Sequence, residues 1–145
     1  MKIEEIEQEI LDEFSLFDNW MDKYEYIIDL GKELPTISNE SKTSENLIKG
    51  CQSQVWLDAV LNNNHIEFTA DSNAIITKGI IALLVRVLNN QPPLEIMNAK
   101  LAFIDEIGLK SHLSPTRANG LLEMVKQMKA YAFAYTIKQN ESVKK

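Results

Sequence analysis

The chain is expected to adopt an α+β fold, a small antiparallel sheet with helices packed on one face. Two patterns predict it. Residues 55–70 alternate apolar and polar with a period of two, interrupted at Asn62-Asn63-Asn64, as in a β-hairpin. On both sides of that stretch apolar residues recur every three or four positions, as in amphipathic helices. With 145 residues, no internal repeat and no long linker, a single domain over residues 1–145 is expected.

Taken in order, Ile3, Ile6, Ile10, Phe14 and Phe17 form one helical stripe over residues 3–17. A second helix should start at Asp18 or Asn19, bury Trp20, Tyr24, Ile27 and Ile28, and stop at Gly31. Residues 35–50 lack periodicity and are rich in Ser, Thr and Asn, so a solvated loop is expected, with Leu47 and Ile48 seating it on the body. Val55, Leu57, Ala59 and Leu61 share one face of a first strand, and Ile66, Phe68 and Ala70 one face of a second. Asparagine tolerates left-handed angles, so Asn62-Asn63-Asn64 suits the turn between them. The segment around the cysteine could add a short strand beside this hairpin.

Asp71 or Ser72 is expected to cap a long helix in which Ile75, Ile76, Gly79, Ile80, Leu83, Leu84, Val87 and Leu88 cover more than one face. A helix this apolar is buried. Gly79 costs about 1 kcal/mol relative to alanine there, which close packing against another backbone would offset. Pro93 begins a short helix through Met97, and the apolar run 101–109 ends with Gly108 as a cap. Ser114 caps the last helix, with Pro115 at its first position, and Leu121, Met124, Val125, Met128, Ala132 and Tyr135 continue one stripe. Residues 138–145 are polar, and a frayed end is expected.

Composition removes several classes of function. The net charge of −6 disfavours nucleic acid and anionic membrane surfaces as partners. No apolar run approaches the roughly 18 residues that span a bilayer. The acidic start, Met1-Lys2-Ile3-Glu4-Glu5, lacks the apolar core of a signal peptide, so a cytoplasmic protein is expected. One cysteine and two histidines fall short of the roughly four ligands of an iron–sulfur cluster or a structural zinc. A lone cysteine forms neither an internal disulfide nor a CxxC redox pair.

That cysteine lies in Lys49-Gly50-Cys51-Gln52-Ser53-Gln54-Val55-Trp56, on a loop leading into a strand. Its flanks are polar, the cation Lys49 is two residues away, and Gly50 lets the loop turn or swing. From the residues alone, an inert buried thiol and a reactive one both stay open.

The string Ile48 to Trp56 closely resembles the active-site segment of the SufE family, sulfur-acceptor proteins that work with a cysteine desulfurase in iron–sulfur cluster assembly. Three other stretches resemble the family in order: Tyr26-Ile27-Ile28-Asp29-Leu30-Gly31 with Leu34-Pro35, Asp71-Ser72 with Lys78-Gly79-Ile80, and Leu113-Ser114-Pro115-Thr116-Arg117 with Gly120-Leu121. The resemblance is strongest over residues 14–135. It implies a fold also similar to the cluster scaffold IscU, although the absence of further cysteines separates this chain from the scaffold role. It implies that Cys51 takes sulfur as a persulfide from a SufS-like desulfurase, stimulates that enzyme, and passes sulfur to a SufBCD-like scaffold, with no turnover of its own. The chain would need no cofactor, because the pyridoxal phosphate belongs to the desulfurase. A CsdE-like paralogue serving a CsdA-like desulfurase is the close alternative. An interaction module with a structural cysteine, or a redox sensor forming an intermolecular disulfide, are alternatives of other classes.

Supporting residues follow from chemistry and position. Gly50 would serve as hinge, and Leu47, Ile48 and Val55 as shelter for the sulfur. Lys49 would stabilise the thiolate or steer a partner. Gln52 and Gln54 would hydrogen-bond loop backbone or partner. Arg117 sits in a helical first turn, where a cation is slightly unfavourable, which suggests a contact with the cysteine loop or a partner. His112 is a candidate proton donor. Asn73 is neutral where some family members carry an acid, which bears on docking.

Overall fold

The computed structural model describes residues 1–51 and 53–144, with the backbone alone over 140–144. Helix α1 (Ile3–Phe14) buries Ile3, Ile6, Ile10 and Phe14, the expected stripe. Phe17 lies beyond its end, where its ring meets Phe14 edge-on and tilts against Tyr26, 5.1 Å between the latter centroids. Helix α2 (Trp20–Gly31) is capped by Asn19, whose side chain accepts the Asp22 N–H at 2.9 Å. Only Ile27 and Gly31 are fully buried on it. Trp20, Tyr24 and Ile28 are half-buried, because the first two turn toward residues 112–117 at the surface.

Strands β1 (Val55–Asn62) and β2 (His65–Ser72) pair antiparallel, Val55 opposite Ser72 and Asn62 opposite His65. Asn63 and Asn64 have φ of 52° and 65°, the paired left-handed geometry of a tight hairpin turn. One face buries Val55, Leu57, Ala59, Ile66, Phe68 and Ala70. On the other, Trp56 lies across from Asp71, with Lys42 5.4 Å from the indole centroid and 2.7 Å from the Asp71 carboxylate. The segment expected to be a solvated loop is therefore tied to the sheet. The Ile37 N–H donates to Ala70 O at 3.2 Å on one edge. On the other, Leu57 N–H reaches Asn46 O and Ile48 N–H reaches Val55 O, both at 2.8 Å. A two-stranded sheet leaves two rows of backbone groups unpaired, and these bridges satisfy part of each.

Helix α3 (Ile75–Leu88) is buried almost all round. Two expectations are corrected here. Asp71 and Ser72 do not cap it: β2 runs through Ser72, and Ala74 holds the cap position. Asp71 is kept in the strand by its partner Trp56, and its carboxylate by Lys42 and Lys78. Ile75 is not core but 69% exposed at the head of the helix. Gly79 does pack against backbone. A Cβ on it would stand 2.2 Å from the Ile27 carbonyl oxygen, and one on Gly31 would stand 3.0 Å from the Gly79 nitrogen. Helices α2 and α3 cross backbone to backbone there.

After α3, the Asn89 side chain accepts the Phe68 N–H at 2.7 Å and Asn90 turns the chain at φ 59°. Short helices α4 (Pro93–Asn98), α5 (Phe103–Glu106) and α6 (Leu109–His112) close one side of the core. Helix α7 (Pro115–Lys144) then crosses the sheet. Tyr131 and Tyr135 on it donate their hydroxyls to the carbonyls of Leu57 and Ala59, at 3.3 and 2.9 Å. The Ser114 hydroxyl accepts the Arg117 N–H at 3.3 Å, as a cap should. No Gly or Pro follows Gly120, and α7 continues past the predicted stripe. Residues 138–144, expected to fray, continue α7 as helix, and Lys145 lies outside the described residues. Among the described residues no helix is long and apolar enough to cross a membrane.

Candidate functional site around Cys51

The cysteine loop is fastened at both ends. Ile48 and Val55 are buried and joined by a backbone hydrogen bond, which closes the base of the loop. Gly50 has φ of +89°, a conformation that side chains strongly disfavour. A Cβ there would also stand 2.9 Å from Glu123 Cγ on α7. Leu47 bridges to Trp56 on β1. Leu47, Ile48 and Val55 thus anchor the base of the loop.

Cys51 is half-buried against α7. Its Sγ lies 3.7 Å from the Gly120 carbonyl oxygen, to which the S–H donates weakly. A Cβ on Gly120 would stand 3.4 Å from that sulfur, so the helix presents bare backbone to the thiol. Beside it is a cavity of about 280 Å³ lined by Cys51, Ile80, Met124, Gly120 and Arg117, with hydroxyls from Ser53, Thr77 and Thr116. That far exceeds the roughly 30 Å³ share of one water molecule, so a further atom on Sγ has room.

Burial pushes the Cys51 thiol above its ordinary range, and the Glu123 carboxylate pushes it the same way. The thiolate is the nucleophilic form, so the resting site holds its cysteine quiet at neutral pH.

Of the residues singled out in the sequence, Gly50 and Arg117 come together with Cys51. Arg117 lines the cavity, and its Nη1 donates to the Tyr24 hydroxyl at 2.8 Å. Lys49 does not supply the expected cation at the thiol: it is exposed and lines a separate groove with Glu45, Glu123 and Lys126. The polar, solvated side chain turns outward while Cys51 turns in. His112 is not in the cavity either. Its ring stacks on Trp20 at 4.2 Å, and its Nδ1 donates to the Gly108 carbonyl at 2.8 Å, a structural role. Gln54 and Asn73 clasp each other at the base of the loop: Gln54 N–H donates to Asn73 Oδ1 at 3.1 Å, and Asn73 Nδ2 donates to Gln54 Oε1 at 3.3 Å. An acid at 73 could accept the first bond but not donate the second. Gln52 lies outside the described residues.

Sequence reasoning missed Glu123, Thr77 and Met124. Glu123 had a signal, since it stands one helical turn past Gly120. Among the described residues no cluster of three or more His, Cys, Asp or Glu side chains could hold a metal ion.

Comparison with known proteins bears on the whole chain. The model of the SufE family, described as an Fe-S metabolism associated domain, matches residues 8–132. A SufE-like protein of Rhizobium meliloti is 38% identical over 129 residues, covering 86% of this chain and 92% of its own. One of Rhizobium etli is 40% identical over 130 residues, covering 86% and 87%. SufE-like protein 1, chloroplastic/mitochondrial, of Arabidopsis thaliana is 38% identical over 135 residues, which is 92% of this chain but 36% of that longer protein. A solution structure of a hypothetical protein from Thermus thermophilus superposes with a TM-score of 0.74, covering 89% of this chain and 94% of that one. At 15% identity that likeness speaks for the α+β fold alone.

Proposed function

This chain belongs to the SufE family, associated with iron–sulfur metabolism, and on that premise we propose that it takes sulfur onto Cys51 from a cysteine desulfurase. The Cys51 thiolate attacks the terminal sulfur of the desulfurase persulfide. The Cys51 S–S bond forms, the partner's S–S bond breaks, and the partner's cysteine leaves as a thiolate. No net oxidation occurs, as in thiol–disulfide exchange. The sulfur then passes to the scaffold on which clusters are built, a SufBCD-like assembly. The desulfurase carries the pyridoxal phosphate, and this chain contributes a thiol and a place to keep the sulfur. Its working compartment is a reducing cytoplasm, where free thiols persist.

One observation carries this reading. The only cysteine of the chain stands against a cavity large enough for an added sulfur. Ile80 and Met124 supply apolar wall beside the thiol, and the hydroxyl-bearing Ser53, Thr77 and Thr116 can hydrogen-bond a persulfide.

The test is mass spectrometry after incubation with a SufS-like desulfurase and free cysteine. The Cys51 peptide should gain the mass of one sulfur atom, released by reductant. Cys51→Ser should gain nothing, since a hydroxyl forms no persulfide and no second cysteine exists. An unmodified Cys51 peptide alongside active desulfurase would remove the acceptor role.

A further inference from the structure

We propose that Glu123 is a positioning residue that restrains the cysteine loop: its side chain clasps the loop at Gly50 and sets a negative charge beside the thiol, so that Cys51 stays unreactive until docking draws the carboxylate away. The purpose of this restraint rests on the sulfur-acceptor reading. The restraint itself is a property of the free protein and can be tested without any partner.

Two adjacent turns of α7 hold two adjacent residues of the loop. Gly120 lies against the Cys51 sulfur, and Glu123 lies against Gly50, with Cγ 2.9 Å from where a Cβ would be. The glycine, at φ +89°, is the only residue type that fits both the backbone angle and that approach. Glu123 is half-buried, yet among the described residues it makes no hydrogen bond and no ion pair. Of the other carboxylates drawn into the protein, Glu13 and Asp71 are each paired with a cation, and Glu7 and Asp58 each accept a backbone N–H.

Burial and Glu123 together push the thiol up despite the cations nearby. On the loop itself, Lys49 is exposed and turned into the neighbouring groove. On α7, Arg117 lines the cavity and keeps its charge, its Nη1 held on the neutral Tyr24 hydroxyl, yet the thiol is pushed up by burial and by Glu123. On α3, Lys78 is paired with Asp71, and Thr77 and Ile80 are what meet the cavity. Glu123 also borders that neighbouring groove, on the side away from Cys51. A lysine or arginine of a docking protein entering there would pair with the carboxylate and lift the clasp and the charge together.

The experiment is alkylation of the purified full chain by iodoacetamide across pH, with no desulfurase present. The midpoint of the rate profile reports the charge at the thiol, and the plateau at high pH reports access to it. Glu123→Gln keeps the shape and removes the charge. It should move the midpoint to lower pH and speed alkylation several-fold at neutral pH, with the plateau unchanged. Glu123→Ala removes both, so its midpoint should fall and its plateau should rise. A midpoint equal to wild type in both variants overturns the charge restraint, and an unchanged plateau in Glu123→Ala overturns the clasp. Sulfur acceptance is scored separately on the wild type. If these shifts appear in a protein that accepts no sulfur, the acceptor reading fails and the restraint stands. If sulfur is accepted and the profiles coincide, the reverse holds.

Discussion

Cys51 is useful only as a thiolate, and the burial and the carboxylate beside it favour the thiol. Burial and Glu123 act in the same direction, and they prevail although the cation Arg117, held on the Tyr24 hydroxyl, stands in the cavity wall. The loop that carries the cysteine depends on Gly50. A β-branched side chain at φ +89° is strained by roughly 1–3 kcal/mol, and its Cβ would press on Glu123. Gly50→Val should therefore shift the loop while the core, anchored by Ile48 and Val55, stays folded. Sulfur acceptance from the desulfurase should fall by about tenfold or more, since an ångström of misplacement can cost on the order of a hundredfold. Transfer at the wild-type rate, with an unchanged circular dichroism spectrum, would show that this backbone angle is not required.

Helices α2 and α3 meet at Gly31 and Gly79, and the contact fixes what each helix carries. Helix α3 brings Thr77 and Ile80 to the cavity, and α2 brings Tyr24 to Arg117. Gly79→Ala would gain about 1 kcal/mol of helix propensity. Its methyl group would fall 2.2 Å from the Ile27 carbonyl oxygen, however, and backbone cannot rotate aside as a flexible side chain can. Overpacking of this kind costs about 1–3 kcal/mol or more, so the steric term wins. The urea midpoint should drop in Gly79→Ala. A higher midpoint would mean that the two helices part without loss.

The molecule as a whole is tied together by a few polar junctions around its apolar core. In one, Arg86 on α3 donates to both Glu13 oxygens, 2.8 Å for the longer bond, and the Tyr26 hydroxyl donates to Glu13 as well. Arg86 holds the Glu13 carboxyl below the usual carboxylate range, outweighing partial burial. A carboxyl lowered on folding contributes stability above its unfolded pKa and loses it as pH falls through the folded value. Stability should then decline on acidification. Asp71 adds to that decline, since Lys42, the Ser72 N–H and Lys78 together outweigh its burial and hold it low. Glu7, raised chiefly by burial, acts in the opposite sense. Glu13→Gln should be less stable than wild type at neutral pH, and the gap should narrow as pH falls below the ordinary carboxylate range. Urea midpoints measured across that range check it, and a constant gap would show that the junction is not linked to pH.

The local features of this protein are written in its local residues. Period-two alternation, asparagines at the hairpin turn, Ser114-Pro115 at a helix start and Gly79 in an apolar helix each reflect a preference acting within a few residues, and each appears where expected. The cysteine loop was legible for the same reason, through Gly50 and its polar flanks. The start of α3 was not: Asp71 resembled a cap but was claimed by strand pairing and two lysines from elsewhere in the chain. The chemistry of the site was decided only by tertiary structure. Sequence suggested that Lys49, two residues away, would activate the thiol, but side chains near in sequence on a turn point in different directions. The groups that meet the sulfur are Gly120, 69 residues on, and Glu123 a turn later. They do so because α7 lies across the sheet on Tyr131 and Tyr135. A charge acts through distance in space, and that distance is set by how helix and sheet pack, not by spacing along the chain.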